Sequence, residues 1–355
     1  MPQARPMAMQ LHGLRAVAVI LTCMMVVGWS GCSSTTKPHA EVVVYTSVDD
    51  VFARPMAEQF EKETGIKVRL VTDTEETKST GLLNRLIAEK GRPQGDVFWS
   101  GDPVRAAILK AQGVSAPYRS PQAQGLPERY SDPEGHWTGF SARARVLIYN
   151  KHLISTGKEP KSVLDLLAPA YQGKACMANP LFGTTSMHAA ALFGQLGEAQ
   201  ARKFFEGFAA NGGKILSSNG EVRRRVANGE FALGLTDTDD YNVARQEGKP
   251  VGVVYPDADG MGTVIVPNCA VLIAGGPNAA AGKKFIDFLL TPETERALAF
   301  SEAAQLPVRP GVAVPNYLTP LDRLKPMPVN YTALAGRLED LSRGYLKEWV
   351  DRTNR

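Results

Sequence analysis

The chain has 355 residues, 40 Lys and Arg against 36 Asp and Glu, and 44% apolar residues. That length suits two domains with real cores, and the near balance of charge, without a basic run interleaved with aromatics, excludes a nucleic-acid binder. No G-x-S-x-G, H-E-x-x-H or Walker loop is present, and the nearest approach, 276–283, has its glycines too far apart, with Lys284 where Ser or Thr belongs. The sequence therefore argues against an enzyme. Arg5 and Arg15 precede an uncharged apolar run over 16–29, which leads into Gly28-Trp29-Ser30-Gly31-Cys32. A basic start, a short apolar stretch and small residues make 1–31 a secretory signal peptide. The run falls short of the roughly 20 residues that a membrane-spanning helix needs. Small residues entering Cys32 resemble a bacterial lipobox, in which Cys32 carries lipid and becomes the new N-terminus; Trp29 departs from the usual Leu. An ordinary signal peptide cut nearby is the competing reading. Residues 32–40 then form a lipid-anchored, Ser/Thr-rich tether. This places the mature chain in the periplasm or on the outer face of the cell. Without the two arginines of the leader, 38 basic residues face 36 acidic ones. Only Cys176 and Cys269 remain to pair, and their apolar, strand-like contexts favour buried free thiols over a disulfide.

Strands and helices alternate from residue 41. A β-branched strand over 41–45 is followed by a helix over 49–64, with Val51, Phe52, Met56 and Phe60 on one face and Gly65 as its stop. Strand 66–71, helix 78–90, strand 96–99 and helix 103–111 complete a βαβαβα pattern, which right-handed crossovers wind into a parallel sheet. A Pro/Gly/Ser-rich loop covers 117–137. Strand 143–149 opens a second α/β stretch: helix 162–167, strand 174–178, helices 185–196 and 198–211, strand 213–216, helix 221–228 and strand 231–235. Strand 263–273 and helices 279–290 and 292–301 follow. Leu334, Leu338, Leu341 and Tyr345 stand at helical spacing in 331–355, which is expected to pack on the second lobe or to contact a partner. The fold class is α/β with two lobes, each a mainly parallel sheet flanked by helices. Residues 41–145 plus 262–308 form lobe 1, and 146–261 plus 309–355 form lobe 2. Crossovers near 141–147 and 262–270 make the hinge, and the cleft between lobes is the expected binding site.

Five segments in order carry a resemblance: Val43-Val44-Tyr45-Thr46-Ser47, 60–68, Asp96-Val97-Phe98-Trp99, 142–150, and Asn179-Pro180-Leu181-Phe182-Gly183-Thr184-Thr185. Together they resemble the type-II periplasmic solute-binding proteins of ABC importers, in particular the ferric-iron-binding branch, over about 41–310. The resemblance implies a periplasmic-binding-protein-like fold, capture of a small ligand by lobe closure, delivery to an ABC permease, and a monomer. It also implies Fe(III) held with phosphate or carbonate as the default cargo.

The metal positions depart from that pattern. Asp49 stands where the branch carries His, and Gly101, with Asp102 beside it, replaces a Glu. Asp239 and Asp240 replace the adjacent tyrosines, with Tyr241 next in line; Tyr149 matches a tyrosine that some relatives use. Four aspartates facing one cleft would need a cation, an ammonium group or raised pKa values. Hard oxygen donors suit Fe(III) or a divalent cation. The competing reading makes Asp237, Asp239 and Asp240 caps of a helix starting at Tyr241. Gly183, Thr184 and Thr185 at one helix start and Asn219 at another offer N–H groups and hydroxyls to an anion, or simply cap. Lys78, Ser79 and Thr80 form a weaker third candidate. Tyr45, Ser47 and Trp99 are expected at strand ends facing the cleft. Arg143 and Arg145 alternate on one strand face, which suits a salt bridge at the hinge. His188 and Met187 read as core. An aminophosphonate-like zwitterion, another small phosphorylated ligand or a divalent cation is the alternative cargo, and a tethered sensor without a permease is the alternative role.

Overall fold

A computed structural model describes residues 40–73 and 80–354. The signal peptide, Cys32, nearly all of the tether, and Lys78 and Ser79 lie outside the described residues. His39–Arg355 form one compact unit, and no described helix is long and apolar enough to cross a membrane.

The first sheet is built from β1 (Glu41–Thr46), β2 (Lys67–Thr72) and β3 (Val97–Ser100), all parallel, in the order β2-β1-β3. Helices α1 (Asp50–Thr64), α2 (Thr80–Ala88) and α3 (Pro103–Ala111) connect and follow them. The alternation of the strands divides the core. Val42 and Val44 face Phe52, Met56 and Phe60 of α1, while Val43 and Tyr45 face α2 and α3. Gly65 ends α1 in the left-handed region at φ 71°, its N–H bonded to the Glu61 carbonyl.

After the two-residue β4 (Ser115–Ala116), β5 (Thr138–Asn150) is longer than its apolar pattern predicted because it serves both lobes. Up to Ala144 it pairs antiparallel with β10 (Ile265–Ile273), which in turn pairs with β3. From Arg145 it pairs with β8 (Leu233–Asp237) and then β9 (Val251–Val254). The second sheet continues through β6 (Ala175–Ala178) to β7 (Lys214–Leu216), parallel to β8 and to each other. The handover at Ala144/Arg145 falls within the crossover expected at 141–147, and a third crossing runs beside it, where Ala142 and Leu306 exchange backbone hydrogen bonds of 2.6 and 2.7 Å.

Helices α4 (Gly183–Leu196), α5 (Glu198–Ala210), α6 (Asn219–Ala227) and α7 (Thr238–Gln246) flank the second sheet, and α8 (Ala279–Leu289) and α9 (Pro292–Phe300) the first. The C-terminal segment breaks at Gly344 into α10 (Tyr331–Arg343) and α11 (Tyr345–Thr353). Trp349 is fully buried against Phe205 and Phe208 of α5. Helix α10 packs on α4 but also on α3, so the C-terminal segment spans elements assigned to both lobes rather than lobe 2 alone. Cys176 and Cys269 are buried free thiols.

Candidate functional site

A cavity of about 450 Å³ opens between the strand ends of the two sheets. Ser47, Asp49 and Gly101 line it from the first lobe and Arg143 from the hinge strand; Gly183, Thr184, Thr185, Asn219, Asp237, Asp239 and Asp240 line it from the second. Four helices, α1, α4, α6 and α7, aim their N-termini at it. Each N-terminus carries partial positive charge, so the cavity is suited to negative groups, whether of the protein or of a ligand.

The start of α4 is the clearest opening for an anion. Its N-cap is Phe182, which has no side-chain oxygen to offer, and Gly183 follows at φ 54°. The ladder of the helix begins with the Ser186 N–H, which donates to the Phe182 carbonyl. The N–H groups of residues 183–185 thus precede the helical ladder. Arg143 closes the opposite side. Its side chain is buried, Nη2 donates to the Gly101 carbonyl, and Nε has no partner. Burial works against that charge, but Asp237, Asp239, Asp49 and Asp102 outweigh it and raise the Arg143 pKa. Gly101 is needed here: a Cβ would lie 2.9 Å from Arg143 Nη2.

Facing these donors, oxygens of Asp237, Asp239 and Asp240 lie within 4.8 Å of one another. The three carboxylates are not equivalent. Asp237 receives Arg145 Nη1 at 2.8 Å and the Thr184 hydroxyl at 2.6 Å. Burial pushes its pKa up, yet Arg145, Arg143 and Thr184 together hold it below the ordinary value. Asp239 is pushed up to about 8, first by burial and then by the charge of Asp240. Asp240 rises to about 6, by burial and then by Asp237, against a 2.7 Å bond from the Thr236 hydroxyl. Asp237 is thus paired with Arg145, whereas Asp239 and Asp240 form no ion pair among the described residues; Asp49 lines the cavity from the other side.

Four candidate residues lie elsewhere. Tyr45 is turned to the other face of β1, where its hydroxyl donates to Glu89 at 2.9 Å under the Arg85 guanidinium. The chain leaves the strand after Thr46, so Ser47 reaches the cleft and Tyr45 does not. Asp102 caps α3: it accepts from the Arg105 N–H at 3.0 Å and sits 3.4 Å from the Arg105 guanidinium. Tyr149 shares a strand face with Arg145 but stands four residues on, roughly 13 Å along the strand, packed over Gly252 of β9. Tyr241 points from α7 into the apolar cluster around Val222 and Val251. Trp99 is fully buried against Phe140 and forms no part of a rim. The reading of the aspartates as caps also changes. Helix α7 starts at Thr238, so Asp239 and Asp240 lie inside its first turn, and Asp237 at the N-cap makes no side-chain cap bond. Sequence reasoning underrated Arg143, although its alternation with Arg145 was the signal, and did not place Arg223 and Arg224 at the cavity edge.

A two-lobed α/β fold with a cleft at the strand ends is the architecture of periplasmic binding proteins. Residues 55–319 match the family described as bacterial extracellular solute-binding protein, and the chain belongs to that family of binding proteins rather than enzymes. The chain is 27% identical over 315 residues to iron uptake protein A1 of a Synechocystis species, covering 83% of this chain and 86% of that one. It is 27% identical over 271 residues to a probable ABC transporter periplasmic-binding protein of Sinorhizobium fredii, covering 73% and 74%. Iron-bound HitA from Pseudomonas aeruginosa shares the fold, with a TM-score of 0.77 at 23% identity over 86% of this chain and 98% of that one.

Proposed function

We propose that the protein is the lipid-anchored, monomeric solute-binding component of an ABC importer, and that its cargo is ferric iron bound together with a small anion such as phosphate or carbonate. The observation that carries the reading is the opposition, inside one cavity, of Asp239 and Asp240 to Arg143 and the uncapped start of α4. Carboxylate oxygens are hard donors that suit Fe(III). Iron relatives at 27% identity support the metal, and the Sinorhizobium relative supports the importer role. The lobe assignment proposed from the sequence places the carboxylate cluster in lobe 2 and Asp49 in lobe 1, so closure would bring a third carboxylate onto the cation.

A specific observation favours a second reading. Among the described residues no tyrosine lines the cavity, whose volume of about 450 Å³ far exceeds that of one ion with one anion. A zwitterion with a phosphonate or phosphate at α4 and an ammonium between Asp239 and Asp240 would use the same groups. Native mass spectrometry of freshly purified protein, followed by titration with ferric citrate in phosphate, separates them. The expected result is one equivalent of iron and no red tyrosinate-to-iron charge-transfer band. Protein that takes up no iron but binds 2-aminoethylphosphonate overturns the iron reading in favour of the zwitterion.

A further inference from the structure

We infer that Arg145 is a positioning residue for the anion end of the cleft: without touching ligand, it engages the side chains of Thr184, Thr185 and Asn219 and leaves the backbone N–H groups of α4 as the surface that an anion meets. This rests on the reading of the cleft given above. The argument is a count of donors. A threonine hydroxyl has one hydrogen and an asparagine amide has two. The Thr184 hydroxyl gives its hydrogen to Asp237 Oδ2 at 2.6 Å and accepts from Arg145 Nη1 at 3.0 Å. The Thr185 hydroxyl gives its own to Asn219 Oδ1 at 3.2 Å and accepts from Arg145 Nη2 at 3.2 Å. Asn219 Nδ2 donates to Thr184 Oγ1 at 2.9 Å and to Asp237 Oδ2 at 3.1 Å. No side-chain hydrogen of the three is left for a ligand. Their place on the cavity wall therefore does not make their side chains anion contacts, as the sequence had suggested.

Arg145 holds this knot together. It is 0% exposed, and each of its three guanidinium nitrogens is engaged: Nη1 by Asp237, Thr184 and Asn219, Nη2 by Thr185, and Nε by His188 Nδ1 at 3.4 Å. His188 can accept because burial, then the Arg145 charge, lower its pKa to about 3 and keep it neutral. The partners come from the ends or starts of β8, α4 and α6, so one planar fork fixes three elements at the floor of the cleft. Its backbone sits where β5 passes from β10 to β8, which ties that floor to the hinge.

The test uses the full chain with inorganic phosphate as probe. Arg145→Lys keeps the charge and loses the fork; it is expected to weaken phosphate about tenfold or more, the loss typical of a charge-assisted contact. Amide hydrogen exchange should accelerate over the first ladder-bonded amides of α4, from Ser186 onward, while β6 and β8 keep their protection. A purely structural role would instead lower protection across the second lobe and leave the affinity of the folded protein unchanged, and that result overturns the inference. Thr185→Val guards against a variant that does not fold. It should cost no more than about threefold in phosphate affinity, whereas a tenfold loss would make its hydroxyl a ligand contact and overturn the inference. If wild-type protein binds no phosphate, the reading of the cleft fails by itself. The exchange arm then decides on Arg145: acceleration confined to the first ladder-bonded amides of α4 supports its role, and unchanged exchange overturns it.

Discussion

The ligand-free protein should lose stability as the pH rises from 6.5 to 8.5, and Asp239→Asn should remove most of that loss. An acid whose native pKa is raised binds its proton more tightly when folded. Its contribution to stability is complete below the unfolded value, 3.8, and is lost as the pH climbs through the native value, about 8 for Asp239 and about 6 for Asp240. Over this window Asp240 is already largely ionised in both states. Asp239 alone loses its proton on unfolding and only partly in the native state, which at 1.36 kcal/mol per pKa unit comes to about 2 kcal/mol. The window matters because His188, lowered to about 3, acts in the opposite sense below pH 6.5. There its neutral burial is penalised as the pH falls, which offsets Asp239 and leaves Asp240 to set the slope below pH 6. Urea unfolding at half-unit intervals of pH, on wild type and Asp239→Asn, measures the slope. A variant with the wild-type slope would refute the raised pKa, and with it the picture of crowded carboxyls in the cleft that hold a proton until a cation replaces it.

Three further outcomes follow from close contacts. Gly101→Ala would push its Cβ to 2.9 Å from Arg143 Nη2 and 3.4 Å from Ser47 Oγ; because the arginine end can swing away, melting should move little. Phosphate affinity by calorimetry should fall about tenfold as Arg143 leaves the cleft. Gly234→Ala has no such escape: its Cβ would lie 2.5 Å from Val222 Cγ1 and 3.0 Å from Val226 Cγ2, between β8 and α6. Overpacking of that kind costs about 1–3 kcal/mol, readable by urea unfolding. Trp349→Ala deletes a fully buried indole whose N–H donates to the Phe205 carbonyl at 3.0 Å, and should cost about 3–5 kcal/mol in the same assay.

The elements with strong apolar periodicity were legible, and those whose reason lies in tertiary contacts were not. Helix α3 was expected at 103–111 and is found at Pro103–Ala111, because Asp102-Pro103 is a cap followed by a first-turn proline. The same dipeptide could have warned that Asp102 was spent as a cap. The first half of β5 was missed since Thr138 and Ser141 break the apolar pattern there; like Arg143 and Arg145 further along, both are buried. Their partners are remote in sequence: Glu295 for the Ser141 N–H, Gly101 for Arg143, and Asp237 for Arg145. Gly139 in that stretch reads as a strand breaker, yet a Cβ there would collide with the Tyr130 carbonyl oxygen. Strand β9 is four residues long and interrupted by Gly252, over which Tyr149 lies. Asp239 and Asp240 could be placed at the cavity because their clustering needs no register, whereas Tyr45 and Tyr149 were misplaced because where a strand ends decides what its last side chains face.

Charge balance then bears on what can enter. Asp49, Asp237, Asp239, Asp240 and Glu302 line the cavity together with Arg143, Arg223 and Arg224, while Arg145 behind the wall cancels Asp237. The cleft is thus short of neutrality by a single positive charge, and by none while Asp239 keeps its proton. A trivalent cation alone would meet the Arg143 guanidinium at the price of strong repulsion, since a partly buried pair of like charges is little screened. An anion that arrives with the cation removes this conflict: it lies between Arg143 and the start of α4, and the cation is left to Asp239 and Asp240. Binding should therefore be synergistic, with iron and phosphate each tightening the other's hold by the same factor. Calorimetric titration of each in the presence and absence of the other measures the coupling, and independent binding would show that the two ends of the cleft do not serve one cargo.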